Sequence, residues 1–337
     1  MRENINYPEI SVVMSVYNGE NYLHQSLESI LKQTFRNFEF IIINDGSTDG
    51  SKRILHSYAS KDNRIRLIEQ QNTGLTIALR KGVEAATGQI IARMDADDIS
   101  APHRFENQIK LLKDQPALIG ATCYYEEFQD DGSFARISAN KEPAVLIPLL
   151  SCFTNRIGGH GQVMFRRSVY NLVGGYDPNV RYAQDYDLWT RMMEYGNFGV
   201  VEDVLYHYRM GHDCITTTAK PAQDASAVQT ARRQFHSLAG ETISEETARA
   251  LRDFWAVRDL KQHNLLHVAK AAIAGAKVSR AFFNRHPEIA GTQAIIARLM
   301  ADRWHQHLSK TKRRNIALKL IFLANYIFWD RRSFRKI

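Results

Sequence analysis

The chain has 337 residues, of which 44% are hydrophobic and 24% are charged, and this composition excludes a wholly disordered protein. Its three cysteines lie far apart and form no CxxC pair, so we predict reduced thiols without a chemical role. The net charge of +8 comes from the last 40 residues, where eleven Lys and Arg oppose two Asp, and this bias indicates an anionic partner.

Short β-branched runs and amphipathic stretches alternate over residues 10–130. Four nearly continuous apolar runs predict strands, namely 10–16, 38–43, 65–68 and 89–94. Apolar residues recur at helical spacing in 23–31 and 75–83, so helices connect the strands. Strands that alternate with helices predict a parallel, Rossmann-like α/β sheet, and such sheets bind ligands beyond the carboxyl ends of their strands.

The pattern changes twice along the remainder of the chain. Residues 130–210 predict a hairpin around Gln129 to Gly132, a helix from Tyr186 to Tyr195, and strands at 198–201 and 204–208. From about residue 222 onward the pattern is helical throughout. We therefore predict an α/β domain over residues 1–215, with halves at about 9–100 and 101–215, and an α-helical region over 216–337.

A polar turn follows each of the four predicted strands. In chain order, these turns are Tyr17-Asn18-Gly19-Glu20, Asn44-Asp45-Gly46, Asn72-Thr73-Gly74 and Asp95-Ala96-Asp97-Asp98. Because the carboxyl ends of parallel strands meet at one edge of a sheet, the four turns outline one crevice. Neither a G-x-G-x-x-G fingerprint nor a P-loop is present, so dinucleotide and P-loop binding are disfavoured.

The acidic turn at 95–98 has two interpretations. Carboxylates on a tight turn suit a hard divalent cation, which would neutralise a diphosphate leaving group. Alternatively, the turn is solvated and caps the helix predicted to begin near Pro102. Asp45 likewise either hydrogen-bonds the edge of a base or ribose, or closes an Asx-turn with Gly46.

Five motifs in order resemble those of the family 2 glycosyltransferases of the GT-A fold. They are Val16-Tyr17-Asn18, Ile42 to Asp49, Asn72-Thr73-Gly74, Ala86-Thr87-Gly88 and Met94 to Asp98. The resemblance covers residues 9 to 212 and implies a mainly parallel GT-A sheet, followed by the helical C-terminal region. It also implies inverting transfer from a nucleotide-diphosphate sugar, with a UDP-sugar favoured and Mg²⁺ or Mn²⁺ as the cofactor.

The resemblance assigns roles to the crevice residues by position. Asp45 would contact the nucleobase, Asp95 the ribose and Asp97 the metal. The rest of the nucleotide-sugar site would consist of Tyr17, Asn18, Glu20, Gly74 and Ala96. Asp98 would either join this site or only cap the following helix. One departure from the family pattern is Asn44, which replaces an acidic residue often paired with Asp45.

A second motif, Gly174 to Asp177 followed by Gln184 to Trp189, resembles the acceptor side of the same family. Inversion by direct displacement needs a base on the acceptor hydroxyl, opposite the leaving diphosphate. The matching position is Asp185, with Asp187 as the substitute if Asp185 points away. The alternative for Asp185 is a carboxylate that only favours the helix macrodipole. Gln184 departs from the glutamate usual before this base.

Histidines and a tryptophan complete the candidate site. His160, in the glycine-rich loop 158–162, and Trp189 are assigned to acceptor binding, and a structural role is the alternative for His160. Three residues placed after the last predicted strand offer cationic groups for the diphosphate or the metal, namely His207, Arg209 and His212. Of these, His207 is predicted as the second metal ligand.

The C-terminal segment 310–337 combines an apolar run with flanking basic residues. The run at 315–329 is too short to span a membrane and suits an interfacial helix, although packing on the catalytic domain is the alternative. Since the first eight residues are polar and show no secretion signal, we expect a cytoplasmic protein, peripheral on the inner membrane. Its acceptor would be a glycan or a lipid-linked oligosaccharide. The processive motif Gln-x-x-Arg-Trp is missing, so we predict transfer of a single sugar.

Two other functional classes are weaker. A nucleotidyltransferase that makes a nucleotide sugar would share the α/β core, but it usually carries a glycine-rich basic loop near its N-terminus. A nucleic-acid-binding protein is suggested only by the pI of about 9.3. No RNP-like, zinc or helix-turn-helix signature is present, so no nucleic acid partner is expected.

Overall fold

The computed structural model describes residues 7–138, 142–210, 219–256 and 258–310. The chain divides into two compact units, one of Met1–Ile147 with Arg156–Ser226 and the other of Pro148–Asn155 with Ala227–Ile337. The sequence placed a boundary at 215/216, which falls in a segment outside the described residues. No pattern in the sequence indicated that residues 148–155 group with the helical unit.

The first unit is built on one mixed sheet. Its strands are β1 (Ile10–Val16), β2 (Phe38–Asp45), β3 (Ile65–Gln70), β4 (Ile90–Met94), β5 (Ile99–Ser100), β6 (Gly120–Phe128), β7 (Phe134–Ser138), β8 (Met164–Arg166) and β9 (Phe198–Arg209). The strand order is β3-β2-β1-β4-β8-β6-β9-β5, and β7 pairs with β6. Strands β3, β2, β1 and β4 are mutually parallel, which confirms the predicted Rossmann-like half. Strand β8 then pairs antiparallel to β4 and β6.

Seven α-helices lie among the described residues up to 210. They are α1 (Leu23–Leu31), α2 (Ser51–Ala59), α3 (Leu75–Glu84), α4 (Arg104–Asp114), α5 (Ile147–Leu150), α6 (Arg167–Leu172) and α7 (Gln184–Met192). Six of them belong to the first unit, and α5 lies mostly in residues that group with the second unit. Helices α1, α2 and α4 share one hydrophobic cluster with the sheet, while α3, α6 and α7 share another. Because both faces are covered, β1 and β2 are apolar along most of their length.

Two elements differ from the sequence prediction. Helix α7 begins at Gln184, two residues earlier than predicted, because Ala183 adopts a left-handed conformation with φ of 52° just before it. The two predicted strands at 198–201 and 204–208 form one strand, β9. Its exposed Glu202 and Asp203 break the apolar pattern at a bulge, where the register with β6 shifts between Cys123 and Tyr124.

The second unit is helical, as predicted. It contains most of α8 (Lys220–Ala239), followed by α9 (Glu245–Trp255), α10 (Leu265–Arg285) and α11 (Gln293–Lys310). No helix in the described ranges is long and apolar enough to cross a membrane. The interfacial helix predicted within 310–337 lies outside the described residues, apart from the backbone of the last residue of α11.

Candidate active site

The turns after β1 and β2 are bound to each other. Asn18, whose φ is 52°, accepts a hydrogen bond on Oδ1 from the Thr48 N–H at 2.8 Å. Glu20 Oε2 accepts one from the Gly50 N–H at 2.8 Å, at the beginning of α2. Asn18 and Glu20 therefore hold the two turns together, and their predicted contacts with a nucleotide stay a prediction. The Tyr17 side chain beside them is 53% exposed.

The Asp45 carboxylate closes the turn that begins α3. Its Oδ1 accepts from the Thr73 N–H at 2.9 Å and from Gln70 Nε2 at 2.7 Å, and its Oδ2 accepts from the Gly74 N–H at 2.9 Å. Gly74, with φ of 88°, is the N-cap of α3. Asp45 is only 1% exposed and does not form the Asx-turn with Gly46 that the sequence left open. These hydrogen bonds stabilise the turn at the beginning of α3. The predicted contact of Asp45 with a nucleobase stays a prediction.

The acidic turn after β4 is fixed to β9 by its last residue. Asp98 is buried, and its carboxylate accepts from the Tyr206 hydroxyl at 2.8 Å and from the Arg209 N–H at 2.8 Å. Burial, followed by the nearby carboxylates of Asp97 and Asp95, raises the pKa of Asp98 well above its usual range. Helix α4 begins at Arg104 with His103 as its N-cap, so the predicted capping role of Asp98 is wrong.

Asp97 is the acidic residue of this turn that suits a metal. Its side chain is partly exposed, and its carbonyl accepts from Arg209 Nε at 2.8 Å. Mg²⁺ usually takes one or two protein carboxylates together with substrate phosphates and water, so a single turn of this kind fits it. Within the described ranges, no three His, Cys, Asp or Glu side chains converge on a metal position.

The sequence predicts that His207 and Arg209 follow the last strand, but both residues lie within β9. His207 Nδ1 is 2.5 Å from Glu126 Oε1, and its ring lines a groove beside α1. An Nδ1 contact with a carboxylate is compatible with metal binding through Nε2, so the assignment of His207 as the second metal ligand stays a prediction. The Arg209 guanidinium is 4% exposed and bound to Gln25 and Asp130, so it supports the acidic turn and is not available to a diphosphate. His212 lies outside the described residues.

Asp185 lies in the first turn of α7 and is partly buried. Burial, together with the charge of Asp95, raises the pKa of Asp185 to about 6, against the opposing effects of the Tyr186 N–H and of Arg93. A carboxyl group with this pKa is largely ionised at neutral pH and still accepts a proton readily, as a general base requires. Asp187 cannot substitute for it, because Asp187 is 1% exposed and its carboxylate binds Arg191 at 2.7 Å.

His160 and Trp189 pack against each other, with Trp189 the more deeply buried of the two. His160 Nε2 is 2.7 Å from the Tyr176 hydroxyl, and burial lowers the pKa of His160 well below its usual range, with Arg93 adding to the effect. His160 is therefore neutral at physiological pH and partly exposed. Trp189 is 0% exposed and contacts the His160 ring at 5.8 Å between centroids. A direct contact of Trp189 with an acceptor is thus wrong, and its role is to pack against His160.

Three supporting residues were not recognised from the sequence. Arg93 and Tyr206 are buried beneath the acidic turn, where Arg93 Nη2 donates to Asp95 Oδ1 at 2.5 Å. Gly161 leaves room for both Tyr206 and Asp95. The one signal available was an arginine within an otherwise apolar strand, Ile90–Met94, since an unpaired charge is rarely buried.

Gly161→Ala is expected to destabilise the protein by about 1–3 kcal/mol, because overpacking beside a buried group forces its neighbours to move. A Cβ at this position would lie 1.7 Å from the Tyr206 hydroxyl and 2.8 Å from Asp95 Oδ2. The measurement is the free energy of unfolding in urea. Gly159→Ala is the matched control in the same loop, since its Cβ would meet only Gln162 Oε1 at 3.4 Å. Equal losses in the two variants would contradict the packing account.

Comparisons with known proteins agree with this arrangement. The family described as "Glycosyl transferase family 2" matches residues 11–174. "Putative glycosyltransferase EpsE" of Bacillus subtilis is 36% identical over 214 residues, which cover 61% of this chain and 74% of that protein. An uncharacterised glycosyltransferase of Rickettsia typhi is 31% identical over 227 residues, covering 64% of this chain and 68% of that one.

Solved structures show the same fold at low identity. Staphylococcus aureus TarS, residues 1–349, in complex with UDP-GlcNAc has a TM-score of 0.59 at 15% identity, covering 96% of this chain and 90% of that chain. The mannosyltransferase PcManGT of Pyrobaculum calidifontis, in complex with GDP-Man and Mn²⁺, has a TM-score of 0.53 at 18% identity, covering 96% and 88%.

The mainly parallel sheet with an acidic turn after β4 defines an enzyme of the GT-A class. The chain belongs to glycosyltransferase family 2 and is a glycosyltransferase. This membership confirms the resemblance seen in the sequence and decides against the nucleotidyltransferase and the nucleic-acid-binding protein.

Proposed function

We propose that this enzyme transfers one sugar from a nucleotide-diphosphate sugar to a hydroxyl group of a glycan or lipid-linked oligosaccharide, with inversion at the anomeric carbon. The observation that carries the proposal is the packing of the loop 158–162 between the acidic turn and α7. Gly161 lies against the Asp95 carboxylate, and the neighbouring His160 contacts Trp189 of α7, with 5.8 Å between ring centroids. The charge of Asp95 also raises the pKa of Asp185, in the first turn of α7. A donor bound at the acidic turn would therefore lie close to a base on α7.

The proposed chemistry is a single displacement. Asp185 accepts the proton of the acceptor hydroxyl as its oxygen forms a bond to the anomeric carbon, and the bond from that carbon to the nucleoside diphosphate breaks on the opposite face. Asp97 would hold Mg²⁺ or Mn²⁺, which would neutralise the charge that develops on the diphosphate. Asp95 would hydrogen-bond the ribose, and the neutral His160 would hydrogen-bond the acceptor.

UDP-sugars are the favoured donors. Support comes from the GT-A neighbour that was solved with UDP-GlcNAc and UDP, although another neighbour was solved with GDP-Man and Mn²⁺. Isothermal titration of UDP, GDP, dTDP and CMP into the protein with Mn²⁺ tests the donor class. We expect UDP to bind at least about tenfold more tightly than the others, which corresponds to about 1.4 kcal/mol. Binding of none of the four would refute the proposal.

We further propose that the basic segment 310–337 holds the enzyme at an anionic membrane, where a lipid-linked acceptor would be found. Each basic residue near such a surface contributes about 1 kcal/mol, so replacing Lys312, Arg313 and Arg314 with glutamine should remove about 3 kcal/mol and weaken vesicle binding roughly 100-fold. Co-sedimentation with vesicles that contain phosphatidylserine measures the effect. The control replaces three exposed lysines of the first unit, namely Lys52, Lys61 and Lys110. Equal binding by both triple variants would defeat the membrane proposal.

A further inference from the structure

A buried cation lies beneath the acidic turn. Arg93 is the fourth of the five residues of β4 and only 1% exposed. Its Nη2 donates to Asp95 Oδ1 at 2.5 Å and its Nη1 to the Val13 carbonyl at 3.4 Å. Its Nε has no hydrogen-bond partner in the part of the chain that the structure describes. Burying an ion costs several kcal/mol even when it is paired, so an apolar residue would serve a purely structural strand better.

The Arg93 guanidinium also acts on the acceptor side of the site. Its positive charge counteracts the effect of burial and of Asp95 on Asp185, and it acts on Tyr176, the hydrogen-bond partner of His160. The groups whose charges interact with Asp185 include Asp95 and Arg93 on the β4 side and Tyr176 ahead of α7. Arg93 is positively charged, whereas Asp95, Asp185 and Tyr176 are anionic or become so when they lose a proton.

We propose that Arg93 is a positioning residue of the transfer reaction, an inference that rests on the function proposed above. Its guanidinium fixes the Asp95 carboxylate on the donor side and supplies one buried positive charge that Asp95 and Asp185 share. Before the reaction, this charge allows Asp185 to be ionised beside a second carboxylate. When Asp185 takes the acceptor proton, the ion pair of Arg93 with Asp95 remains and keeps the donor side in place.

The test separates the charge of Arg93 from its bulk. Arg93→Gln removes the charge and keeps a hydrogen-bond donor, whereas Arg93→Lys keeps the charge. In the pH dependence of kcat/KM, the wild-type acidic limb is expected near pH 6, the pKa of Asp185. We expect this limb to move up by about one pH unit in Arg93→Gln. In Arg93→Lys it should stay in place while the KM for the donor rises, because an ammonium group does not reproduce the guanidinium fork.

Two further variants keep the inference testable. Arg104→Gln removes another fully buried guanidinium, which donates to the carbonyls of Gly161 and Arg93, and it should lower stability without moving the limb. Asp95→Asn removes the carboxylate that binds Arg93 and should move the limb to lower pH. If Arg93→Gln does not fold, the KM of Arg93→Lys for the donor decides, and a KM equal to that of the wild type would contradict the positioning of Asp95 by Arg93.

Some outcomes would overturn the inference. Identical limbs in the wild type, Arg93→Gln and Asp95→Asn would do so while leaving the proposed function intact, and so would an equal shift in Arg104→Gln. Failure of the wild type to transfer any sugar would instead refute the proposed function, and this inference with it.

Discussion

Replacing Asp185 with asparagine is expected to lower the rate of sugar transfer by roughly 10²–10⁴-fold, the usual contribution of a general base. Asparagine has nearly the same shape but cannot take a proton from the acceptor hydroxyl. Donor affinity should change by less than about threefold, because the proposed role of Asp185 lies on the acceptor side. The measurement is a comparison of kcat with the donor dissociation constant. A loss of donor affinity in parallel with kcat would contradict the assignment of Asp185 as the general base.

The same residue predicts a pH dependence of both activity and stability. Since the pKa of Asp185 is about 6, the rate should rise with pH through 6 and level off above about 7. Because this pKa is raised above its usual value of 3.8, ionisation of Asp185 disfavours the folded state as pH rises through 6. The free energy of unfolding of Asp185→Asn should therefore exceed that of the wild type at pH 8 by about 1–3 kcal/mol, with little difference at pH 4.

A matched control distinguishes this effect from a general loss of negative charge. Asp177→Asn changes a partly exposed carboxylate ahead of the same helix, where it accepts from the Asn179 N–H at 2.9 Å. We expect transfer by Asp177→Asn to stay within about twofold of the wild type, as is usual for surface substitutions. A pH profile without a limb near 6, in an active wild type, would contradict the assignment of Asp185.

Asp97→Ala is expected to abolish metal-dependent transfer. A metal on the leaving group contributes several kcal/mol to the stabilisation of the transition state, so the rate should fall by at least roughly 10³-fold. Added Mn²⁺ should stimulate the wild type and not the variant, and EDTA should reduce the wild type to the level of the variant. Titration of Mn²⁺ against the rate of nucleotide release measures both effects.

The control for Asp97 is Asp114→Ala, which removes an exposed carboxylate that binds only Lys110 at 2.7 Å on α4. Its response to Mn²⁺ should match that of the wild type. Full activity of the wild type in EDTA would show that the acidic turn binds its donor without a metal. Retained Mn²⁺ stimulation in Asp97→Ala would show that another residue binds the metal.

The sequence predicts the parallel half of the sheet well, for a physical reason. Strands covered on both faces must be apolar along their length, and runs such as 10–16 are unambiguous in this respect. Helix α2 was not recognised, because it buries only Ile54 and Leu55 among its apolar residues and carries charged and polar residues elsewhere. Strand β9 was read as two pieces because its bulge is polar.

The location of the site also follows from the sequence, whereas the partners of its side chains do not. Parallel strands end at one edge, so four polar turns had to lie near one another. Which carboxylate is exposed depends on contacts between residues far apart in sequence. Asp98 binds residues of β9 that are more than 100 positions away, while Asp45 binds a turn 28 and 29 positions away. Spacing along the chain carries no information on such contacts.

The most direct test of the account is the release of nucleoside diphosphate from a panel of nucleotide sugars with Mn²⁺, with UDP-sugars tried first and a glycan or lipid-linked acceptor supplied. The account predicts release from a UDP-sugar that depends on the acceptor and on Mn²⁺, and that is lost in both Asp97→Ala and Asp185→Asn. Release that persists in both variants, or no release from any donor, would contradict it.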